Sequence, residues 1–92
     1  MNVPVRISAD IPIDNITIDV DGEKRGIHYF VLQIMEDDHQ SYGLKITNTN
    51  GQSEETLGIT HSYEEAEAWA SKLALAQATP TSLHDLVDDW MS

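Results

Sequence analysis

The chain contains no cysteine, which excludes disulfides, thiolate zinc sites and cysteine nucleophiles together. Basic residues are scarce: five Lys and Arg stand against sixteen Asp and Glu, for a net charge of -11. Phosphate recognition and attraction to anionic membranes both need a basic footprint, so neither direct nucleic-acid binding nor a membrane role is expected. The longest strongly apolar run, Ile27 to Met35, falls far below the ~20 residues of a membrane helix. The opening residues show no basic segment followed by an apolar stretch, so no signal peptide is expected and a cytoplasmic, bacterial-type setting fits. Neither GxGxxG, GxxxxGK[ST] nor GxSxG occurs, which leaves mononucleotide binding and nucleophile-elbow hydrolysis without support.

What remains is a pattern of short strands followed by helices. Ninety-two residues with 40% hydrophobic content and no linker-like stretch fit a single domain over 1–92. A chain this short buries only roughly 60–65% of its unfolded surface, so an internal active-site cavity would take a large share of a small core. Ile16, Ile18 and Val20 alternate with Thr17, Asp19 and Asp21, the period of a half-buried strand. Asp21-Gly22 signals a turn, and Ile27 to Met35 then reads as a central strand, apolar on both faces. Phe30, Leu32 and Ile34 share one face; Ile27, Tyr29, Val31 and Met35 share the other. After the charged turn Glu36 to Gln40, Tyr42, Leu44 and Ile46 alternate inward, and Asn50-Gly51 is a strong hairpin signal. Leu57 and Ile59 alternate with Thr56 and Gly58 in a fourth strand. Val3, Val5 and Ile7 in the opening residues 1–14 suggest an irregular segment or an added edge strand, with Pro4 and Pro12 arguing against a central place.

At Ser62 the period lengthens. Ser62 and Glu65 have the spacing of a capping box, and Ala66, Trp69, Ala70 and Leu73 form one helical stripe. Pro80 demands a break, and Thr81 or Ser82 caps a second, short helix. The expected fold is α+β: a four-stranded antiparallel meander over 16–60, followed by two helices over 62–91 packed on one face.

The densest polar grouping is SLHDLVDDWM. On a helix, Leu83, Leu86, Val87 and Trp90 fall on one side, while His84, Asp85, Asp88 and Asp89 fall on the solvated side. His84 and Asp88 stand one turn apart, as two metal ligands would, but a zinc centre needs three or four. Glu36, Asp37 and Asp38 beside His39 have the residue types for a divalent ion or acid–base work, and equally those of a charged hairpin tip. His28 lies on a strand, and His61 sits at a strand-to-helix junction. Asp19 to Gly22 lacks the further oxygen ligands and flanking helices of a calcium loop. No catalytic residue, metal or cofactor is assigned.

The strand with Tyr42, Gly43 and Ile46, the acidic helix after it, and the closing Pro80, Leu83, Asp85, Val87, Asp89 and Trp90 resemble a family of small uncharacterised proteins of Firmicutes. The resemblance covers the second half of the chain. It implies a bacterial source and a domain of unknown function, and it carries over no catalytic residue.

The expected role is therefore a small, acidic, non-enzymatic binding or regulatory domain, monomeric or homodimeric, that meets a basic protein partner. Its expected surface comprises Tyr29, Val31 and Met35 on the strand face left open, with Glu64, Glu65, Asp85, Asp88 and Asp89 on the helices. A phage-type acidic inhibitor mimicking nucleic acid is the alternative, and a metal-dependent enzyme built on His39 or His84 is a third.

Overall fold

The computed structural model describes residues 6–91. Strands β1 (Arg6–Val20), β2 (Glu23–Glu36), β3 (His39–Asn48) and β4 (Ser53–Thr60) pair antiparallel in chain order in one open sheet. Helix α1 (Tyr63–Leu75) follows, then a 3-10 turn at Pro80–Ser82 that leads directly into helix α2 (Leu83–Met91). The α+β meander read from the hydrophobic periodicity is thus the observed fold.

The amino-terminal segment differs from expectation. It is no separate fifth strand, because Ile7 through Ile18 belong to one continuous edge strand, β1. Edge placement tolerates Pro12, whose missing amide hydrogen would break a ladder at the sheet centre. The register against β2 slips twice, between Ile7 and Ala9 and between Pro12 and Asp14, so Ser8 and Ile13 are extra residues on β1. Val3, Pro4 and Val5 lie outside the described residues.

Turn chemistry explains the hairpins. Asp21 (φ 54°) and Gly22 (φ 83°) both take positive φ in the two-residue β1–β2 loop, as the right-handed strand twist favours. The β3–β4 loop is built differently from the simple Asn-Gly turn expected. The Gly51 amide donates to the Asn48 carbonyl at 3.2 Å, and Gly51 takes φ 87°, while Asn50 is not among the positive-φ residues. The Asn48 side-chain oxygen accepts from the amides of Asn50 and Gln52, both at 3.0 Å, and so holds the loop from its first residue.

Helix α1 starts where Ser62 Oγ accepts from the Glu65 amide at 3.3 Å. The reciprocal arm of a capping box comes from elsewhere: the Ser62 amide donates to Thr60 Oγ1 at 3.1 Å rather than to the Glu65 carboxylate. At the other end the Ala78 amide donates to the Leu73 carbonyl at 2.9 Å, and the Gln77 amide to that of Ala74 at 3.1 Å. That pairing is a Schellman motif, so the helix stops before Pro80 acts. Its left-handed position is filled by Gln77, at φ 53°. Gln77→Gly should therefore raise stability by about 1 kcal/mol, read as a higher urea midpoint. An unchanged or lowered midpoint would mean that the glutamine side chain contributes what its backbone loses.

The second helix enters through Pro80–Ser82, and the residue preceding the turn is Thr79, not Thr81 or Ser82 as expected. The Thr79 amide donates to Ser82 Oγ at 3.0 Å. The core lies between the sheet and the helices: Ile27, Tyr29 and Val31 of β2 and Leu44 and Ile46 of β3 pack with Ala66, Ala70, Leu73, Leu83 and Val87. Alanines along α1 let the helix lie close to the strands, and it touches all four, whereas α2 lies over β4.

Tyr29 ties these layers together. Its side chain is fully buried, and its hydroxyl donates to the Ala78 carbonyl at 2.7 Å, just past the end of α1. Burial, reinforced by the Asp14 carboxylate paired opposite it, pushes the phenol up to about 12. A phenol whose folded pKa lies above the ordinary 10.0 stabilises the fold fully below pH 10, and that stability is lost as pH climbs towards 12. Tyr29→Phe should lose about 1–3 kcal/mol at neutral pH, because a buried carbonyl loses its donor. Denaturation of both proteins between pH 8 and pH 12 tests this, with the gap expected to narrow above pH 10. A gap that stays constant to pH 12 would show that the hydroxyl is not what separates them.

Candidate functional site

Helix α1 begins with Glu64 and Glu65, placed where the helix dipole favours carboxylates, and Glu67 follows. Helix α2 presents Asp85, Asp88 and Asp89 opposite its buried Leu83 and Val87. All six acids are exposed. Lys72, the one basic residue of this layer, lies 5.1 Å from the Trp90 ring, which in turn stacks at a tilt on Trp69 at 6.2 Å. The layer that covers the core is thus an acidic outer surface.

The expected strand contribution to that surface is corrected. Tyr29 and Val31 are 0% exposed, because the helices cover the sheet face that carries them. Met35, near the end of β2, is 38% exposed and stays available. The face away from the helices carries Phe30, with Lys45 Nζ 5.6 Å from its ring and 3.0 Å from the Asp10 carboxylate. On that face Leu32 and Ile34 are buried too; the register sets Leu32 between Asp10 and Gly43, and Ile34 between Ile7 and Ser41.

Two of the four histidines, His84 and His61, make links between elements, while His28 and His39 are exposed on β2 and β3. His84 Nε2 lies 2.9 Å from Glu54 Oε2, joining α2 to β4, so its partner is Glu54 and not Asp88. His61 Nδ1 lies 3.2 Å from the Gln40 carbonyl and joins the start of α1 to the head of β3. Glu36, Asp37 and Asp38 stay exposed around the β2–β3 turn, where Asp37 takes φ 52°. Among the described residues no three His, Asp or Glu side chains gather as a metal site would require.

One feature went unread in the sequence. Where the β1–β2 and β3–β4 loops approach the Thr79–Thr81 turn, a cleft of about 170 Å³ opens. Ile18, Val20 and Ile27 form its apolar part, and Asn48, Gln52, Thr79, Thr81 and Arg25 its polar part. Arg25 pairs in register with Ile18, a residue packed against the core, so it shares the helix-facing side of the sheet. Its Nε is buried and has no hydrogen-bond partner among the described residues, and its Nη2 lies 4.0 Å from Glu23 Oε2. The signal was weak because the residues come from the ends of β1, β2 and β3, the β3–β4 loop and the Thr79–Thr81 turn, which lie far apart in the chain.

An open antiparallel sheet with two helices on one face, an acidic helical surface and a small arginine cleft define a small α+β fold. The chain belongs to the family described as "Family of unknown function (DUF6514)", which matches residues 13–92 and so takes in about half of β1 as well as the later elements. No curated protein and no solved structure matches it. Among the described residues no helix is long and apolar enough to cross a membrane.

Proposed function

We propose that the protein is a small acidic, non-enzymatic binding or regulatory domain that works through protein–protein contacts, its helical layer meeting a basic partner surface in a bacterial cytoplasm. The observation that carries this reading is the exposure of Glu64, Glu65, Asp85, Asp88 and Asp89 on the two helices, in a layer with a single basic residue. Such a field steers a basic partner and suppresses acidic ones, with more effect on association rate than on final affinity. The acidic-mimic reading draws on the same side chains and on an elongated shape of 50 × 26 × 19 Å. Charge density weighs against it. A duplex 50 Å long carries roughly 30 phosphate charges, whereas the whole chain has a net -11.

Partners recovered from the native host should be titrated against the parent and a variant with those five acids replaced by Ala. The variant should associate more slowly at low salt, and the difference should vanish near 1 M salt, where the screening length is about 3 Å. Equal association rates at low salt would sink the proposal. A reproducible turnover activity without any specific partner would do so too.

A further inference from the structure

We propose that the cleft around Arg25 binds a carboxylate attached to a short branched apolar chain. The proposal does not rest on the acidic surface. In a chain with sixteen acids and five bases, a guanidinium is an unexpected group to find without a close acid. Arg25 nevertheless keeps Nε out of water with no acceptor among the described residues, and Glu23 at 4.0 Å from Nη2 lies at the limit of an ion pair. A buried N–H without an acceptor is costly, and an incoming carboxylate would supply two oxygens to the guanidinium fork. Around it stand neutral groups that can donate: the hydroxyls of Thr79 and Thr81, 3.1 Å from each other, and the side-chain amides of Asn48 and Gln52, joined at 2.9 Å. Among the described residues no carboxylate lines the cleft itself, and the Glu23 carboxylate stands beside it, 4.0 Å from Arg25 Nη2.

The apolar part selects the rest of the ligand. Ile18, Val20 and Ile27 present branched aliphatic surface, which suits an aliphatic tail better than a sugar or a second charge. A volume of about 170 Å³ holds roughly a dozen water-sized positions, enough for a branched short-chain acid or the last residue of a peptide, and too little for a nucleotide. Both sources present the same chemistry, and the experiment separates them.

Amide spectra of the isotope-labelled full chain should be followed while isovalerate is added, and separately an N-acetylated dipeptide ending in leucine. Isovaleramide and the amidated dipeptide serve as charge-free counterparts. Saturable shifts at Arg25, Ile27, Asn48, Gln52, Thr79 and Thr81 are expected for at least one carboxylate and for neither amide. Saturation by isovalerate alone assigns a free acid, and tighter binding of the dipeptide assigns a peptide terminus. Arg25→Gln should weaken binding about tenfold or more while leaving the denaturation midpoint in place, since it removes an unsatisfied group. Arg25→Lys keeps the charge without the fork and should bind between the two. The proposal is overturned if neither carboxylate gives saturable shifts, if the amides bind equally well, or if folded Arg25→Gln binds as the parent does.

Discussion

Gly43→Ala is expected to be the most damaging single methyl that can be added to this protein. The new Cβ would fall within contact distance of the Thr56 carbonyl oxygen and 3.1 Å from Leu57 Cα. Those atoms are backbone and cannot rotate away. They lie there because β4 departs from regular pairing: Tyr42 faces Thr60 and Leu44 faces Thr56, so Leu57, Gly58 and Ile59 all stand against Gly43 alone. Gly58 turns the chain through φ 64° to make this possible. The loss should be about 3 kcal/mol or more, at the upper end of overpacking effects, because either strand must shift to accept the methyl. Gly26→Ala provides the comparison, since its Cβ would meet only side-chain atoms, the Thr49 methyl at 3.3 Å and His28 Nε2 at 3.7 Å, and its effect should stay within about 1 kcal/mol. Urea denaturation of both variants measures the contrast. If Gly43→Ala were as stable as the parent, the β4 bulge would not be packed over β3.

The second large effect concerns α2. Leu83 is 0% exposed within the core, and its truncation to Ala should lose about 2–5 kcal/mol. The helical pattern sets Trp90 on the same apolar side as Leu83 and so predicts it buried as well. It is instead half-buried, lying against Trp69 and under Lys72, at the margin of the core. Trp90→Ala should therefore lose about 2 kcal/mol, roughly half the usual value for a fully buried aromatic. Asp88→Ala should shift stability by only about 0.5 kcal/mol, as an exposed residue does. A ranking in which Trp90 outweighs Leu83 would show that α2 is held by its tip and not by its first turn.

These residues also show what was legible in the sequence and why. Alternation revealed the strands, and a change to helical spacing revealed α1 and α2, because both periods are written in consecutive residues. The side of the sheet that meets the helices was not written there. Ile27 to Met35 is apolar on both faces, and only the Tyr29 hydroxyl hinted at a requirement for a buried acceptor, which the end of α1 supplies. In β4, Leu57 and Ile59 alternate in sequence, yet Leu57 is 45% exposed because the bulge interrupts the pleat between them. The acids of the helices were read correctly as a solvated face, since helical geometry alone decides that. The Arg25 cleft depends on strand ends, the β3–β4 loop and the turn before α2 meeting in space, a relation that no local pattern contains.

The long edge strand has a consequence for how the protein behaves in a crowded solution. An unpaired edge of fifteen residues is an invitation for another chain to add a strand and for sheets to grow from molecule to molecule. On β1 that growth is obstructed at several points. Pro12 has no amide hydrogen to offer, and the extra residues Ser8 and Ile13 break the spacing a straight newcomer would need. Exposed carboxylates at Asp10, Asp14 and Asp19 would confront one another if two copies aligned edge to edge. The longest strand among the described residues is thereby also poorly suited to being copied by a second chain.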